Sequence, residues 1–410
     1  MKNFISKILV VLLVVMSLCG CTPKGDTPEG EKPLKFGVIL VGDENEGYTY
    51  AHIEGIKQAA AANNVADDQI IWKYSVGESQ DCYDAAIDLV EQGCNVVFSN
   101  SYGHQSYMQK AAEENPGVQF VACTGDTAAI SGLSNFSNAF TNVYESRYVS
   151  GIVAGYKLKE LVENGQLTPE NYKDGNVLIG YIGAFPYAEV VSGYTAFFLG
   201  VKSVVENVTM EVVYTNSWFD ITAEGESANT LMADHCVIIA QHADSTGAPA
   251  AVEAAMVKNG TIAYSIGYNV DMLAVAPHAA LTSATNNWGV YYTYAMGQAL
   301  KGEKIATDWA DGYTVDAVAI TKLGDSCAPG TQEAVDKAIA EIKAGTLHVF
   351  DTSTWTVNGE HLTELVIDLD GDFKTDSAAD KNAIWDGYFH ESELRSAPSF
   401  AVQIDGIFDR

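Results

Sequence analysis

One pattern, run twice, constrains this chain more than any other feature. Phe36-Gly37-Val38-Ile39-Leu40-Val41 is a short, continuous, β-branched apolar run, the signature of a strand buried on both faces. Residues 50–62 follow with Ile53, Ile56 and Ala60 at helical spacing. Strands are then expected at 70–72, 96–98 and 118–122, with helices at 80–91 and 104–114 between them. A second series starts near residue 176. Its expected strands are 177–182, 211–214, 237–240 and 262–266, and its helices 187–205, 223–234 and 249–258. Strand–helix alternation with apolar strands predicts an α/β chain of two lobes, each a doubly wound parallel sheet. Helical patterns at 144–164 and 288–300, and a strand at 315–320, supply hinge crossovers. The expected lobes are 34–142 plus 284–308 and 143–283 plus 309–350, with 351–410 a C-terminal extension of unassigned role. Asn115 and the pair Asn259-Gly260 close corresponding helices and suit left-handed C-caps.

The N-terminus says where such a body works. Lys2 and Lys7 precede an apolar run from Ile8 to Leu18, and Leu18-Cys19-Gly20-Cys21 ends it. A basic start, a short apolar core and small residues at the cut describe an export signal over 1–20. A cysteine after Leu-x-Gly reads as a lipidation site, so Cys21 is expected to carry the lipid and palmitate anchor; an ordinary signal with a chance cysteine is the alternative. Residues 21–33 hold Pro, Gly and charges without a large apolar side chain, the composition of a flexible tether. No later run reaches the ~18 apolar residues of a membrane span. The expected place is the extracytoplasmic face of a cell membrane, held to the bilayer by lipid. A net charge of −30 disfavours nucleic acid and polyanionic ligands. Cys82, Cys94, Cys123, Cys236 and Cys327 show no C-x-x-C and read as buried thiols.

In open parallel sheets ligands sit beyond the carboxyl ends of the strands. The loops there carry Asn45, Tyr48 and Thr49 after the first strand and Tyr102 after the third. In the second series they carry Phe185 and Glu189, Gln241, Asn269 and Asp271, and then Trp288. His52, His104 and His242 fall on the same loops and read as hydrogen-bonding or solvated. Rings, amides and carboxylates without Lys or Arg suit a flat guest with N–H donors on its edge. No G-x-S-x-G, H-E-x-x-H or G-x-x-x-x-G-K occurs, so no catalytic residue, cofactor or enzyme activity is assigned. Asp368-Leu369-Asp370-Gly371-Asp372 hints at calcium but has the glycine of an EF-hand misplaced, and reads as a turn; no metal ligand is assigned.

The loop blocks Gly47-Tyr48-Thr49-Tyr50-Ala51-His52, Phe185-Pro186-Tyr187-Ala188-Glu189-Val190, Gln241-His242-Ala243-Asp244-Ser245, Gly267 to Met272 and Asn287 to Tyr292 occur in one order. In that order the chain resembles the basic membrane protein family of lipoproteins over roughly residues 35–350. That resemblance implies the type I periplasmic-binding fold and a substrate-binding protein of an ABC importer. It also implies a purine base or nucleoside as ligand, and as partners a permease and a separate ATPase subunit. By resemblance Tyr48 and Phe185 stack on the base, Glu189, Asn269 and Asp271 bond its edge, and Trp288 closes a wall. Relatives that bind nucleosides place a Lys where this chain reads Ser283-Ala284-Thr285-Asn286-Asn287, a departure that favours a free base. Ser192 and Thr195 stand where the branch has Arg and Asn, and Tyr48 replaces its usual Trp. A ligand-sensing lipoprotein signalling to a membrane receptor is the alternative use of the same domain.

Overall fold

A computed structural model of the chain describes residues 33–371 and 374–410. The signal, Cys21 and nearly all of the tether lie outside the described residues.

The first lobe runs β1 (Phe36–Ile39), α1 (Gly47–Asn63), β2 (Ile70–Lys73), α2 (Gln80–Glu91), β3 (Val96–Ser99), α3 (Gln105–Glu114), β4 (Gln119–Cys123), α4 (Ala128–Ser131) and β5 (Phe136–Thr141). The second runs α5 (Val143–Glu163), β6 (Tyr172–Lys173), β7 (Asn176–Gly183), α6 (Ala188–Lys202), β8 (Val208–Tyr214), α7 (Ile221–Ala233), β9 (Ile238–Gln241), α8 (Gly247–Asn259), β10 (Tyr264–Tyr268) and β11 (Ala280–Asn286). The chain then returns to the first lobe for α9 (Trp288–Leu300) and β12 (Asp308–Asp311), and to the second for β13 (Val318–Ile320) and α10 (Thr331–Lys343).

The sheets are ordered β12-β5-β4-β3-β1-β2 and β13-β11-β10-β9-β7-β8-β18, where β18 (Ile407–Asp409) comes from the C-terminal extension. Only β13, and β6 beside β7, run antiparallel within them. Both lobes therefore share one core order: second strand, first, third, fourth, fifth. The order reverses between β1 and β3, and again between β7 and β9, and these are the topological switch points. The β5, β11, β12 and α10 elements and the participation of 407–409 were not among the expected elements. β12 keeps the chain in the first sheet to Asp311, beyond the expected return at 308.

Helices cover both faces of each sheet. In the first lobe Ile53, Ile56 and Trp288 pack one face, and Cys82, Leu89 and Met108 the other. In the second, α5, α6 and α10 share a core with Trp355, Phe389 and Phe400 of the extension. The rest of the extension forms two short hairpins, β14 (Val366–Ile367) with β15 (Lys381–Asn382) and β16 (Ile384–Trp385) with β17 (Tyr388–Phe389). Local signals place the helix ends. Ser79 and Asp220 accept first-turn amides of α2 and α7. Gly260 adopts the left-handed C-cap at φ 68°. Asn115 does not, with φ −129°; Pro116 follows it and pushes its predecessor toward extended geometry. The Asp368 carboxylate accepts the amides of Asp370 and Gly371, which makes a turn of that segment.

α5 and α6 cross closely because both present glycine at the contact. A Cβ on Gly200 would land on the carbonyl oxygen of Tyr148, and one on Gly151 on that of Phe197. Gly200→Ala is therefore expected to lower stability by about 1–3 kcal/mol through helix displacement. Urea unfolding measures this, and an unchanged midpoint would show that the crossing relaxes freely.

Candidate functional site

The two switch points face each other across one cavity of about 500 Å³. From the first lobe come Asp43, Asn45, Glu46 and Tyr48 after β1, Glu78 after β2, and Tyr102 after β3. From the second come Phe185 and Glu189 after β7, Trp218 after β8, His242 and Asp244 after β9, and Tyr268 at the end of β10.

The aromatic wall is a connected set of rings. Phe185 stacks on Tyr187 with centroids 5.1 Å apart, and Trp218 meets Phe185 edge-on at 5.2 Å. On the opposite side the Tyr48 hydroxyl donates to the Asn100 carbonyl while its ring meets His52 edge-on at 4.6 Å. Tyr102 approaches Tyr187 at 6.2 Å and brings the lobes together at the rim.

The polar side is dominated by carboxylates. Asp244 is buried, and its Oδ1 accepts the Asn269 amide at 2.7 Å. Burial, reinforced by Glu46, Glu224 and Glu189, holds its carboxyl well above the usual carboxylate range. Burial also raises Glu46, against a hydrogen bond from Thr49. Glu189 sits in the first turn of α6, where the helix dipole favours its charge. The Glu189 Oε1 lies 3.1 Å from His242 Nε2. Burial and nearby Arg147 push His242 down to about 4, so near neutrality it is uncharged and donates from Nε2. Arg147 is itself buried, donating Nη1 to the Gln241 carbonyl at 2.6 Å with its guanidinium 3.7 Å over the Tyr268 ring. It stands behind the wall. Among the described residues no Lys or Arg lines the cavity.

Five of the expected residues, Asn45, Tyr48, Tyr102, Phe185 and Glu189, line this cavity. The others do not. Thr49 lies behind, donating to Glu46 and accepting from Asn100. Gln241 is a loop pin, its amide donating to the carbonyls of Ala243 and Ser245 at 2.6 and 2.8 Å. Asn269 reaches the site only through Asp244. Asp271 is exposed and accepts the Leu273 amide at 2.7 Å, a local turn. Trp288 is core, stacked on His52 at 4.2 Å. Asn269, Asp271 and Trp288 instead border a separate, smaller groove along α1. The reason is geometric: they follow β10 and β11, outboard of the switch point, so only Asn269 reaches inward.

Asp43, Glu46, Glu78, Trp218, Asp244, Tyr268 and Arg147 complete the site and its backing beyond the expected residues; His242, expected to hydrogen-bond or face solvent, lines the cavity and bonds Glu189. Asp244 lies inside the block Gln241 to Ser245, two residues past His242. Glu78 and Trp218 lie after the second strands, whose loops fold back over the switch points. No sequence signal marks Arg147, a helix residue opposite them.

Two doubly wound lobes with a shared cavity at their switch points define a two-lobed, type I-like periplasmic solute-binding fold. The profile described as ABC transporter substrate-binding protein, PnrA-like, matches residues 35–351, and the chain belongs to this Bmp family. A purine-binding protein of Brucella abortus is 29% identical over 350 residues, 82% of this chain and 90% of its own length. A Haloferax volcanii protein provisionally named for glucose binding is 29% identical over 275 residues, 66% of this chain and 62% of its own. An ABC solute-binding protein from Aeropyrum pernix superposes with a TM-score of 0.63 at 14% identity, over 78% of this chain and 93% of that one. One from Conexibacter woesei gives 0.60 at 18% identity, over 77% and 98%. The family is one of extracytoplasmic solute-binding proteins, not enzymes. Among the described residues no helix is long and apolar enough to cross a membrane.

Two buried glutamates give the fold a pH signature. Glu224 accepts the Ser245 amide beneath Asp244, and Glu145 accepts the Tyr313 amide where the chain crosses between lobes. Burial raises both to about 7 from an ordinary 4.5. The folded state thus holds these protons more tightly than the unfolded one. Their stabilisation is complete below the unfolded value and is lost as pH rises to about 7, at up to ~1.4 kcal/mol per pH unit for each group. His242, lowered, has the opposite sign: its contribution is lost as pH falls toward about 4. Glu224→Gln is expected to flatten the decline in urea midpoint between pH 5 and 7 by about one group's share. A profile parallel to the parent's would refute the assignment.

Proposed function

We propose that this chain captures a purine base or nucleoside in the interlobe cavity and delivers it to an ABC permease driven by a separate ATPase subunit. Lipidation of Cys21 and the 21–33 tether keep the receptor beside that permease on the outer side of the cell membrane. The carrying observation is the convergence of Asp244 and Glu189 with the rings of Tyr48, Tyr102, Phe185 and Trp218 at facing switch points. A flat heterocycle fits between rings, and its N–H groups satisfy carboxylates that otherwise face one another. The similarity to a purine-binding relative supports the same reading, and the missing lysine near the sugar favours a free base. Each hydrogen bond to a charged carboxylate contributes about 1.5–3 kcal/mol. Each ring contact adds about 0.5–1.5 kcal/mol. With both acids charged, two of each sum to about 4–9 kcal/mol, a range whose upper part reaches the ~8 kcal/mol of micromolar binding.

Calorimetry of residues 34–410 against adenine, guanine, hypoxanthine, adenosine, guanosine, inosine and uridine tests the proposal. At least one purine is expected to bind at micromolar or tighter affinity; if none binds below millimolar, the purine assignment fails. Asp244→Ala and Trp218→Ala should each weaken that binding by tenfold or more, about 1.4 kcal/mol. Asp271→Ala should leave it unchanged; the reverse ranking would move the site to the groove along α1.

A further inference from the structure

The extension beyond residue 351 lies outside the family profile, yet one stretch of it touches both lobes. Its base is clamped to the second lobe. The buried Glu391 carboxylate accepts the Ser192 hydroxyl of α6 at 2.7 Å. It also accepts the amides of Ser399 and Phe400 at 2.6 and 3.0 Å, so the segment folds back on itself around one charge. Further on, β18 pairs with β8 at the edge of the same sheet. Between these anchors the chain reaches across. The Ser396 amide donates to Asp308 Oδ2 in β12 of the first lobe at 2.9 Å. Arg395 Nη1 lies 3.9 Å from Asp126 Oδ2, also in the first lobe. Ala397 packs in a cluster with Phe140 and Val143, where the chain crosses between lobes, and with Tyr268.

Two of these contacts lead into the cavity. Asp126 accepts the Tyr102 hydroxyl at 3.4 Å and the Gln105 amide at 3.1 Å, and Tyr102 lines the cavity. Tyr268 lines it from the other lobe. We propose that residues 391–400 form a strap across the hinge that sets the angle between the lobes, with Arg395 a positioning residue for Tyr102. A segment anchored to one lobe and bonded to the other must either move with the first lobe or break the Ser396–Asp308 and Arg395–Asp126 contacts when the cleft opens. The strap therefore resists opening and narrows the range of interlobe angles in the unliganded protein.

The test needs no ligand and so is independent of the purine reading. Spin labels on Ala61→Cys in α1 and Ala250→Cys in α8, both exposed positions on opposite lobes, report the interlobe distance distribution by pulsed EPR. Arg395→Gln combined with Asp308→Ala is expected to shift or broaden that distribution toward longer distances, with a native circular dichroism spectrum. A purely structural role would lower the melting temperature and leave the distances alone, and an unchanged distribution overturns the proposal. Hydrogen exchange on the unaltered chain gives a second reading that no misfolding can confound. Amides of 391–400 should be protected to the level of strand 407–409. Rapid exchange through 391–400 overturns the strap as firmly.

Discussion

The structure depends on pointing the carboxyl ends of two parallel sheets at each other. Each sheet alone offers half a crevice at its switch point. The crossings between lobes turn two halves into one cavity, and they are held by bonds from backbone amides. The Asn142 amide donates to the Asp311 carbonyl, the Asn287 amide to the Ala317 carbonyl, and the Tyr313 amide to Glu145. Thr141, ending β5, donates its hydroxyl to Asn286, ending β11, so the last core strands of the two sheets meet at their tips. The glycine-mediated contact of α5 with α6 keeps the first crossover helix close to the second sheet.

Bringing those ends together has an electrostatic cost. Loops at both switch points carry acids, and closure places Glu46, Glu189 and Asp244 around one space. The protein offsets this in layers. Asn269 donates to Asp244, Thr49 to Glu46, and neutral His242 to Glu189. Arg147 adds one positive charge behind the wall, tied to the Gln241 carbonyl and stacked on Tyr268, where it offsets the negative potential of the acids without lining the cavity. What remains exposed to the cavity is acceptor capacity between aromatic faces.

Much of this frame was legible in the sequence, and the exceptions share a cause. β1, β3, β4, β7 and β9 are continuous apolar runs because both faces are covered. β5 and β11 read Phe-Ser-Asn-Ala-Phe-Thr and Ala-Leu-Thr-Ser-Ala-Thr-Asn, and hydrophobic pattern passes over them. They are buried all the same, and most of their polar groups find partners, the Ser283 hydroxyl being an exception. Asn138 bonds the Ala128 amide and the Ala122 carbonyl; Thr282 bonds the Thr321 carbonyl. The same logic explains the site. Loops after the first strands were legible, and Tyr48, Phe185 and Glu189 lie on them. Asp271 and Trp288 look like ligand contacts by residue type, yet one serves a turn and the other a core stack. Residue type proposes a ligand contact, while distance from the switch point sets which side chains line the cavity.

The same charge arrangement links closure to occupancy. An open cleft lets water solvate the carboxylates. Closing it empty strips that water, and the acids then either face one another charged at lower dielectric, where repulsion grows, or take up protons, as the raised Asp244 and Glu46 do. A guest bearing N–H donors replaces the water with bonds that strengthen as water leaves. Its binding free energy then differs between open and closed forms, which is the condition for a ligand to shift a conformational equilibrium at all. An anionic guest of the same shape would add to the repulsion and gain nothing from closure. On the proposed reading, the acids that look costly in a binding site are the part of it that tells one occupant from another.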